Sequence, residues 1–251
     1  MISYDYPLNE RVRTLLRLED LYARVDFFIA RSHAMDHHAA LLALFEILEV
    51  ASRADLKTDL LQELERQRQI LELLRHNPVI SEQALETILR EIVSTAASLH
   101  ELSGKMGQHI RDNEWLMSIR QRINIPGGAC EFDLPSYHYW LNRDEEARRK
   151  DLREWLAPLQ PINDGLLLVL KLLRDSGKTT RQKTHHGAFQ QMLAGRAAQM
   201  IRIALDKNLP CFPEISANKY AINIRFTSLG GTQKSRTCDI NFEFDLTLCN
   251  F

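Results

Sequence analysis

The residues of this chain that could do chemistry are widely spread, and one segment only imitates a ligand-binding motif. Ser176-Gly177-Lys178-Thr179 looks like the end of a phosphate-binding loop, in which backbone amides and a lysine hold the phosphates of a nucleotide. That motif needs a glycine where this chain has Leu172, and a preceding strand where a helix is predicted. We therefore interpret residues 176–187 as a flexible loop whose basic residues are Lys178, Arg181 and Lys183.

The histidines and cysteines lack the spacing of metal or redox sites. His37-His38 and His185-His186 are adjacent pairs, so on a helix their side chains would point in different directions, and neither pair has a carboxylate at a useful offset. We expect these histidines to be solvated. The cysteines lie far apart with no C-x-x-C pair and are interpreted as reduced thiols; they are Cys130, Cys211, Cys238 and Cys249.

No set of residues indicates catalysis. The serines have no histidine and carboxylate context that distinguishes them, and the acidic residues are spread along predicted solvent faces. The sequence therefore predicts a protein that is not an enzyme and has no cofactor and no metal. Its net charge of -1 also argues against a dedicated nucleic-acid-binding protein, which usually has a basic excess. A charged partner must then be bound by a local patch.

Basic side chains on predicted surfaces are the remaining candidates for binding. They lie on or beside elements whose apolar side is already used for packing, so their charged heads should face water. These candidates are Arg13, Arg17, Arg53, Arg111, Arg120, Arg122, Lys219 and Arg225. Arg225 has an equally supported alternative role, a cross-strand ion pair with outward-facing acidic residues, namely Asp239, Glu243 and Asp245.

Most of the chain up to residue 175 is predicted to be helical, because its apolar residues recur at spacings of three and four. Asn9, Asp36 and Ser81 are expected to cap three of the helices. The predicted helices start after Asn9 and run from Asp36 to about Ser52, 56–75, 81–102, 108–124, 145–156 and 162–174. Short links between the first four favour an antiparallel bundle.

Several other segments alternate apolar and polar residues, which predicts strands with one packed face and one solvent face. These segments are 2–6, 129–134, 201–205, 220–226 and 238–248. Gly230-Gly231 supplies a turn between the last two strands, and no helix separates the C-terminal strands to make parallel crossovers. The fold class is therefore α+β, with an N-terminal antiparallel helical bundle domain and a mainly antiparallel β-domain.

The segment Ile125–Leu141 suggests that the chain crosses between these domains more than once. Pro126-Gly127-Gly128 stops a helix, the strand 129–134 follows and ends at Pro135, and an apolar helix resumes at Ile162. We predict an α-helical domain of residues 8–107 and 160–176, and a β-domain of residues 1–7, 108–159 and 177–251.

Neither a signal peptide nor a membrane helix is predicted. The N-terminus has no basic start and no apolar run. The longest apolar run, Leu166–Leu173, falls short of the roughly 20 residues that a membrane helix needs. We therefore expect a cytoplasmic protein that does not bind a membrane.

Several short segments, in order along nearly the whole chain, resemble one known family. They are Pro7-Leu8-Asn9-Glu10 with Arg13-Thr14 and Leu16-Arg17, then Leu60-Leu61 with Glu63-Leu64 and Arg66-Gln67, Arg120-Gln121-Arg122, Ile125-Pro126-Gly127-Gly128, Phe132-Asp133-Leu134-Pro135, Trp140-Leu141, and Tyr220 to Phe226. On these motifs the chain resembles the ZapD family of Z-ring-associated bacterial cell-division proteins.

The resemblance implies a helical domain and a β-domain in a symmetric homodimer. It also implies a partner, the C-terminal tail of the tubulin-like protein FtsZ, whose filaments are cross-linked at the division septum. The implied tail site is a basic pocket between the two domains. Its matching positions are Arg53 and Arg225, with Arg13, Arg17, Arg111, Arg120, Arg122 and Lys219 as further candidates. Ala221 stands near another arginine of the family's pattern, and Glu114 stands where family members have basic residues, so this chain departs from the family pattern there.

The alternative to an FtsZ-binding adaptor is a nucleic-acid-binding or other adaptor module that uses the same basic residues. That reading requires the basic residues to form one continuous stripe, and it predicts DNA binding that weakens steeply with salt.

Overall fold

The computed structural model describes residues 1–52, 55–75, 77–193, 195, 197–218, 220–228 and 236–251. Contacts between Cα atoms divide the chain into two compact units. The helical unit is Arg17–Val169, and the β-unit combines Met1–Leu16 with Leu170–Phe251. The fold class is α+β, as the sequence predicts, with a helical N-terminal part and a β-rich C-terminal part.

The helices in the described residues agree with the predicted ones except in their ends, in an interruption of the helix predicted over 108–124, and in one helix, Pro135–Leu141, that was not predicted. They are α1 (Glu10–Ile29), α2 (Ala34–Ala51), α3 (Leu56–Glu72), α4 (Glu82–Glu101), α5 (Gln108–Arg111), α6 (Glu114–Ile123), α7 (Pro135–Leu141), α8 (Glu145–Leu156) and α9 (Gln160–Asp175), with a 3-10 turn at Ala157–Leu159. The division between the two units falls within α1 and within α9.

Side-chain caps begin several helices, because the first amides of a helix have no partner within it. Asn9 Oδ1 accepts from the Val12 amide at 2.8 Å and Ser81 Oγ from the Ala84 amide at 3.4 Å, which confirms both predicted caps. The predicted cap of α2 is wrong. His33 caps that helix instead, since its extended backbone lets Nδ1 accept from the Met35 amide at 3.1 Å.

The strand predicted at residues 129–134 is wrong. Cys130 donates its amide to the Gly127 carbonyl, and the amides of Asp133 and Leu134 both donate to the Cys130 carbonyl, so this segment is a series of turns. Pro135 then begins α7 instead of ending a strand, because a proline at the first helical position loses no helical hydrogen bond. The alternation was too short to distinguish a strand from turns.

The assignment of residues 108–159 to the β-domain also differs from the contacts, which place this range inside the helical unit. Its described elements are α5 to α8, and they bury aromatic rings among themselves. Tyr137 and Trp140 are stacked, with ring centroids 5.8 Å apart, and Trp155 lies 5.9 Å from Trp140. The aromatic residues of this range therefore pack within the helical unit, where burial of their rings stabilises it.

The described residues of the β-unit form two antiparallel sheets. Their strands are β1 (Ile2–Pro7), β2 (Lys178–Lys183), β3 (Ala188–Met192), β4 (Met200–Leu205), β5 (Phe212–Ala217), β6 (Ala221–Ser228), β7 (Arg236–Thr237) and β8 (Glu243–Cys249). The first sheet has the order β1-β4-β8-β2, and the second has the order β3-β6-β5 with β7 also paired to β6. Side chains from β4, β6 and β8 are buried in one apolar cluster, which includes Ile203, Ile224 and Phe244.

Two predictions about this unit need correction. The segment predicted as a loop, 176–187, contains the edge strand β2, whose polar residues hide its strand character. Such polar edges are common because they prevent pairing with other chains. The strand predicted over 238–248 is limited to β8, and β3 and β5 were not predicted at all. The Gly230-Gly231 turn lies outside the described residues.

Asp5 on β1 is hydrogen-bonded to two arginines of the β-unit. Its cross-strand partner Arg202 on β4 donates to both carboxylate oxygens, at 2.6 and 2.9 Å. Arg174 near the end of α9 donates twice to Oδ2, at 3.1 and 2.9 Å. Burial by itself raises the pKa of Asp5, but the hydrogen bonds and charges of the two arginines outweigh it and lower that pKa.

Replacing Asp5 by asparagine should destabilise the β-unit by about 2 kcal/mol, because two guanidinium groups lose their shared charged acceptor. Hydrogen exchange of the β1 and β4 amides measures this loss. Asp245→Asn is the control, since its ion pair with the exposed Arg181 should contribute less than about 1 kcal/mol.

Because the Asp5 pKa is lowered, its stabilisation is present above about pH 3.9 and is lost as the pH falls through the lowered pKa. Equal exchange rates in the two variants would contradict the assignment.

His37 is fully buried in the helical unit and is held as a neutral ring. Arg148 Nε donates to His37 Nδ1 at 3.0 Å, so His37 Nε2 must carry the proton that it donates to the Arg31 carbonyl at 2.9 Å. Burial lowers the pKa of His37, and the nearby Arg148 charge lowers it further. His38 is bonded to the Tyr137 hydroxyl at 2.7 Å, so the prediction that this pair is solvated is wrong.

The helical unit should lose stability in mild acid through His37. Its pKa is lowered on folding, so the unfolded chain binds the proton first, and stability falls as the pH drops below about 6.5. Urea titrations followed by tryptophan fluorescence at about pH 7.5 and about pH 5.5 measure the change. His37→Gln, which keeps an acceptor and a donor but cannot titrate, should show a smaller pH dependence than the natural chain. An identical dependence would contradict this role.

Candidate functional site

The predicted basic residues are distributed over both units. Arg13 and Arg225 lie in the β-unit, whereas Arg17, Arg111 and Arg120 lie in the helical unit together with Arg122. Arg53 and Lys219 lie outside the described residues, so the structure does not test their predicted role.

Three of the predicted arginines are engaged in ion pairs. Arg13 Nε lies 3.1 Å from Glu10 Oε2, and Arg120 Nη2 lies 2.9 Å from Glu49 Oε2. Arg122 Nη1 lies 3.6 Å from Asp133 Oδ1. These pairs are partly solvated and contribute little stability, but each one occupies the guanidinium.

Arg111 is used for structure, because its guanidinium satisfies backbone carbonyls. Nη1 donates to the Met106 carbonyl at 2.6 Å and Nη2 to the Leu48 carbonyl at 3.4 Å, near the end of α2. Lys57 acts in the same way and donates to the Leu102 carbonyl at 2.6 Å, just after α4. Both residues line a cavity of about 750 Å³ with the exposed Lys105. Cations are favoured at helix C-termini, where carbonyl groups lack partners.

Arg225 lies on the solvent face of β6 and lines a larger cavity, of about 960 Å³, which we call the sheet groove. The groove runs over β3, β6 and β5 and is bordered by Lys183 and His185. Its lining includes the small residues Ala188 and Ser216, which occupy less space than the longer side chains around them.

Arg225 differs from the other described candidates in its side-chain contacts. Within the described part of the chain, its guanidinium makes no ion pair and no hydrogen bond to another side chain. Arg17 is exposed and has an interaction of its own. The sheet groove thus offers the planar guanidinium of Arg225 to a ligand, and its paired N–H groups can donate two hydrogen bonds to one carboxylate.

The alternative role predicted for Arg225 is wrong, because the two strands concerned belong to different sheets. Arg181 on β2 takes two of the three proposed partners: its Nε lies 3.2 Å from Glu243 Oε2 and its Nη1 lies 2.9 Å from Asp245 Oδ1. The third, Asp239, is 2.7 Å from His186 Nδ1. The residue directly opposite Arg225 on β5 is Glu214.

Two residues of the sheet groove, Lys183 and His185, were absent from the predicted site. Both border a sharp turn between β2 and β3 that is anchored by the buried Thr184, whose hydroxyl donates to the Ile240 carbonyl at 3.2 Å. Gly187 allows this turn, with φ of 67° and no room for a Cβ, which would lie 1.7 Å from the Cys238 carbonyl oxygen. If Gly187 had been recognised as a turn residue between two polar strands, Lys183 and His185 would have been predicted as part of the site.

The described residues contain no group of three or more histidine, cysteine or acidic side chains arranged to hold a metal ion. The helical run Glu145–Asp175 is long and apolar enough for a membrane span by length and composition. In the structure, however, 56% of that apolar window is buried inside the protein, as in the core helix of a folded domain.

A family model and several known proteins match this chain over most or all of its length. The model of one protein family, described as "ZapD: Cell division protein", matches residues 16–225. Cell division protein ZapD of Aromatoleum aromaticum is 57% identical over 250 residues, which cover 100% of this chain and 98% of that protein. The protein of the same name from Chromobacterium violaceum is 56% identical over 252 residues, covering 100% of both chains. A third, from an Azoarcus species, is 55% identical over 249 residues, covering 99% of both.

Replacing Arg111 by methionine should lower the stability of the helical unit by about 1–2 kcal/mol, because two carbonyl groups lose a charged donor while the packing of the stem is kept. Tryptophan fluorescence during urea unfolding reports on this unit, since Trp115, Trp140 and Trp155 all lie within it. The control is Arg153→Met on the exposed side of α8, which should change stability by less than about 0.5 kcal/mol. A stability equal to that of the natural chain would show that Arg111 is available for another role.

Proposed function

We propose, because this chain belongs to the ZapD family of cell division proteins, that it binds the C-terminal tail of FtsZ and cross-links FtsZ filaments. The family gives the chain a role in cell division and is not a known family of enzymes. The proposal adds the partner and the action: a non-enzymatic homodimer in the cytoplasm that stabilises the Z-ring at the division septum.

The proposal rests on the exposure of Arg225 and on its side-chain contacts. Arg225 is exposed, lines the sheet groove, and has no side-chain partner within the described residues. Lys183 adds a second positive charge on the border of the groove. The acidic groups of a flexible tail would complete the hydrogen bonding of the Arg225 fork, and burial of the tail's apolar groups in the groove would add to the affinity.

Weak binding at each site is compatible with cross-linking. A flexible tail loses conformational entropy when it binds, which limits the affinity of one site. A symmetric dimer presents two such sites, so that it can hold tails of two filaments and gain apparent affinity through the second contact. Arg53 and Lys219, which the family resemblance implies as further contacts, remain part of the proposal.

Mixing the purified chain with polymerising FtsZ and sedimenting the filaments tests the action. We expect more FtsZ in the pellet, and no increase with FtsZ that lacks its C-terminal tail. The solution mass should be twice the 29.1 kDa of one chain. A natural chain that leaves the pellet unchanged, or that is monomeric, would contradict the cross-linking proposal.

Replacing Arg225 by glutamine should weaken binding of a fluorescent FtsZ tail peptide by about tenfold, because the bidentate contact to a carboxylate is lost. Arg181→Gln is the matched control: it removes an equal charge from the same unit, but its guanidinium is already paired with Glu243 and Asp245. It should bind the peptide as the natural chain does. Equal affinities of the two variants would remove Arg225 from the site.

The nucleic-acid alternative is tested in the same assay with an unrelated DNA duplex. The proposal predicts no binding at moderate salt concentration, because the chain has a net charge of -1 and most of the described candidate arginines are engaged. Tight binding that weakens steeply as salt is added would favour the alternative.

A further inference from the structure

The sheet groove contains a carboxylate that opposes the binding of an acidic partner. Glu214 is exposed on β5 and lines the groove. It lies directly opposite Arg225 in the register of β5 and β6, whereas the opposite neighbour of Arg225 on β3 is Ala188. The guanidinium therefore has an acidic residue on one side and a small, open position on the other.

Glu214 and Arg225 are close enough to influence each other without forming an ion pair. Directly opposite residues of antiparallel strands have Cβ atoms roughly 5 Å apart. The structure nevertheless shows no contact within ion-pair distance between these two described side chains. A carboxylate of a ligand that reaches Arg225 would approach Glu214 as well, and the two negative charges would repel each other.

The charges around the groove support the same conclusion. Lys183 and Arg225 contribute positive charge, and Glu214 is the acidic residue among the lining side chains in the described chain. Glu214 thus lowers the local positive potential where the ligand binds and competes for the Arg225 fork.

We infer that Glu214 limits the affinity of the sheet groove, through Arg225 and Lys183, for acidic peptide segments. The inference rests on the proposed function for its natural partner, but the charge effect applies to any acidic peptide that binds in the groove. A cross-linker of growing filaments needs contacts that can dissociate, and Glu214 supplies a negative charge that weakens them.

The test compares the natural chain with Glu214→Gln, which keeps the size of the side chain and removes its charge. Two fluorescent peptides are used as probes, the FtsZ C-terminal tail and an oligo-glutamate of similar length. We expect Glu214→Gln to bind both peptides about two- to fivefold more tightly at low salt, as for cross-strand charge interactions. The gain should shrink as salt is added, because exposed charges are screened.

Two variants separate a local effect from a change of net charge. Asp245→Asn removes the same charge from the same unit outside the groove and should leave the affinity for both peptides unchanged. The double variant Arg225→Gln with Glu214→Gln is compared with the single variant Arg225→Gln. The gain in peptide affinity between these two should be smaller than the gain that Glu214→Gln gives in the natural chain, because no guanidinium is left for Glu214 to compete for.

The outcomes distinguish this inference from the proposed function. If the natural chain binds the tail and Glu214→Gln binds neither peptide more tightly, the inference is wrong and the proposed function stands. If the natural chain does not bind the tail but Glu214→Gln gains affinity for oligo-glutamate, the inference stands and the proposed partner is wrong. If Asp245→Asn gains as much peptide affinity as Glu214→Gln, the effect comes from the net charge of the protein and the inference is wrong.

Discussion

The β-unit depends on one carboxylate that is shared by two arginines. Asp5 lies on the N-terminal strand, whereas Arg174 and Arg202 lie 169 and 197 residues further along the chain. Together they fix β1 against β4 and the end of α9 within this unit, and they explain why the first residues of the chain belong with its C-terminal strands. A charged group that is mostly buried has to be paired in this way, because its desolvation would otherwise oppose folding.

Arginine serves a similar purpose in the helical unit, where it completes hydrogen bonding at places where helices end. Arg148 donates to the Ser32 carbonyl as well as to His37, and Arg149 donates to the Ile29 carbonyl at the end of α1. Arg111 does the same near the end of α2. Five donors in a rigid plane suit this task better than the single ammonium of lysine. An abundance of arginine is therefore a weak guide to a binding site in this protein.

The candidate site was predictable only in part for the same reason. Sequence patterns placed Arg225 on the outer face of a strand, and the structure agrees. They could not tell that Arg120 and Arg122 have acidic partners, since those partners lie outside the same helix. They also missed Lys183 and His185, because β2 has no apolar alternation and was taken for a loop. Contacts between distant parts of the chain decide which charges remain available.

The sequence correctly predicted most of the helices, the alternating strands β4 and β6, and the α+β class, because the periodicity of apolar residues is a local property of the chain. It also carried the family resemblance, which the full-length similarity to ZapD proteins bears out. The tertiary structure was needed to show that residues 129–134 form turns, that β6 and β8 belong to different sheets, and that Glu214 lies opposite Arg225. Strand order and register depend on which distant segments share a core, and no local pattern records that choice.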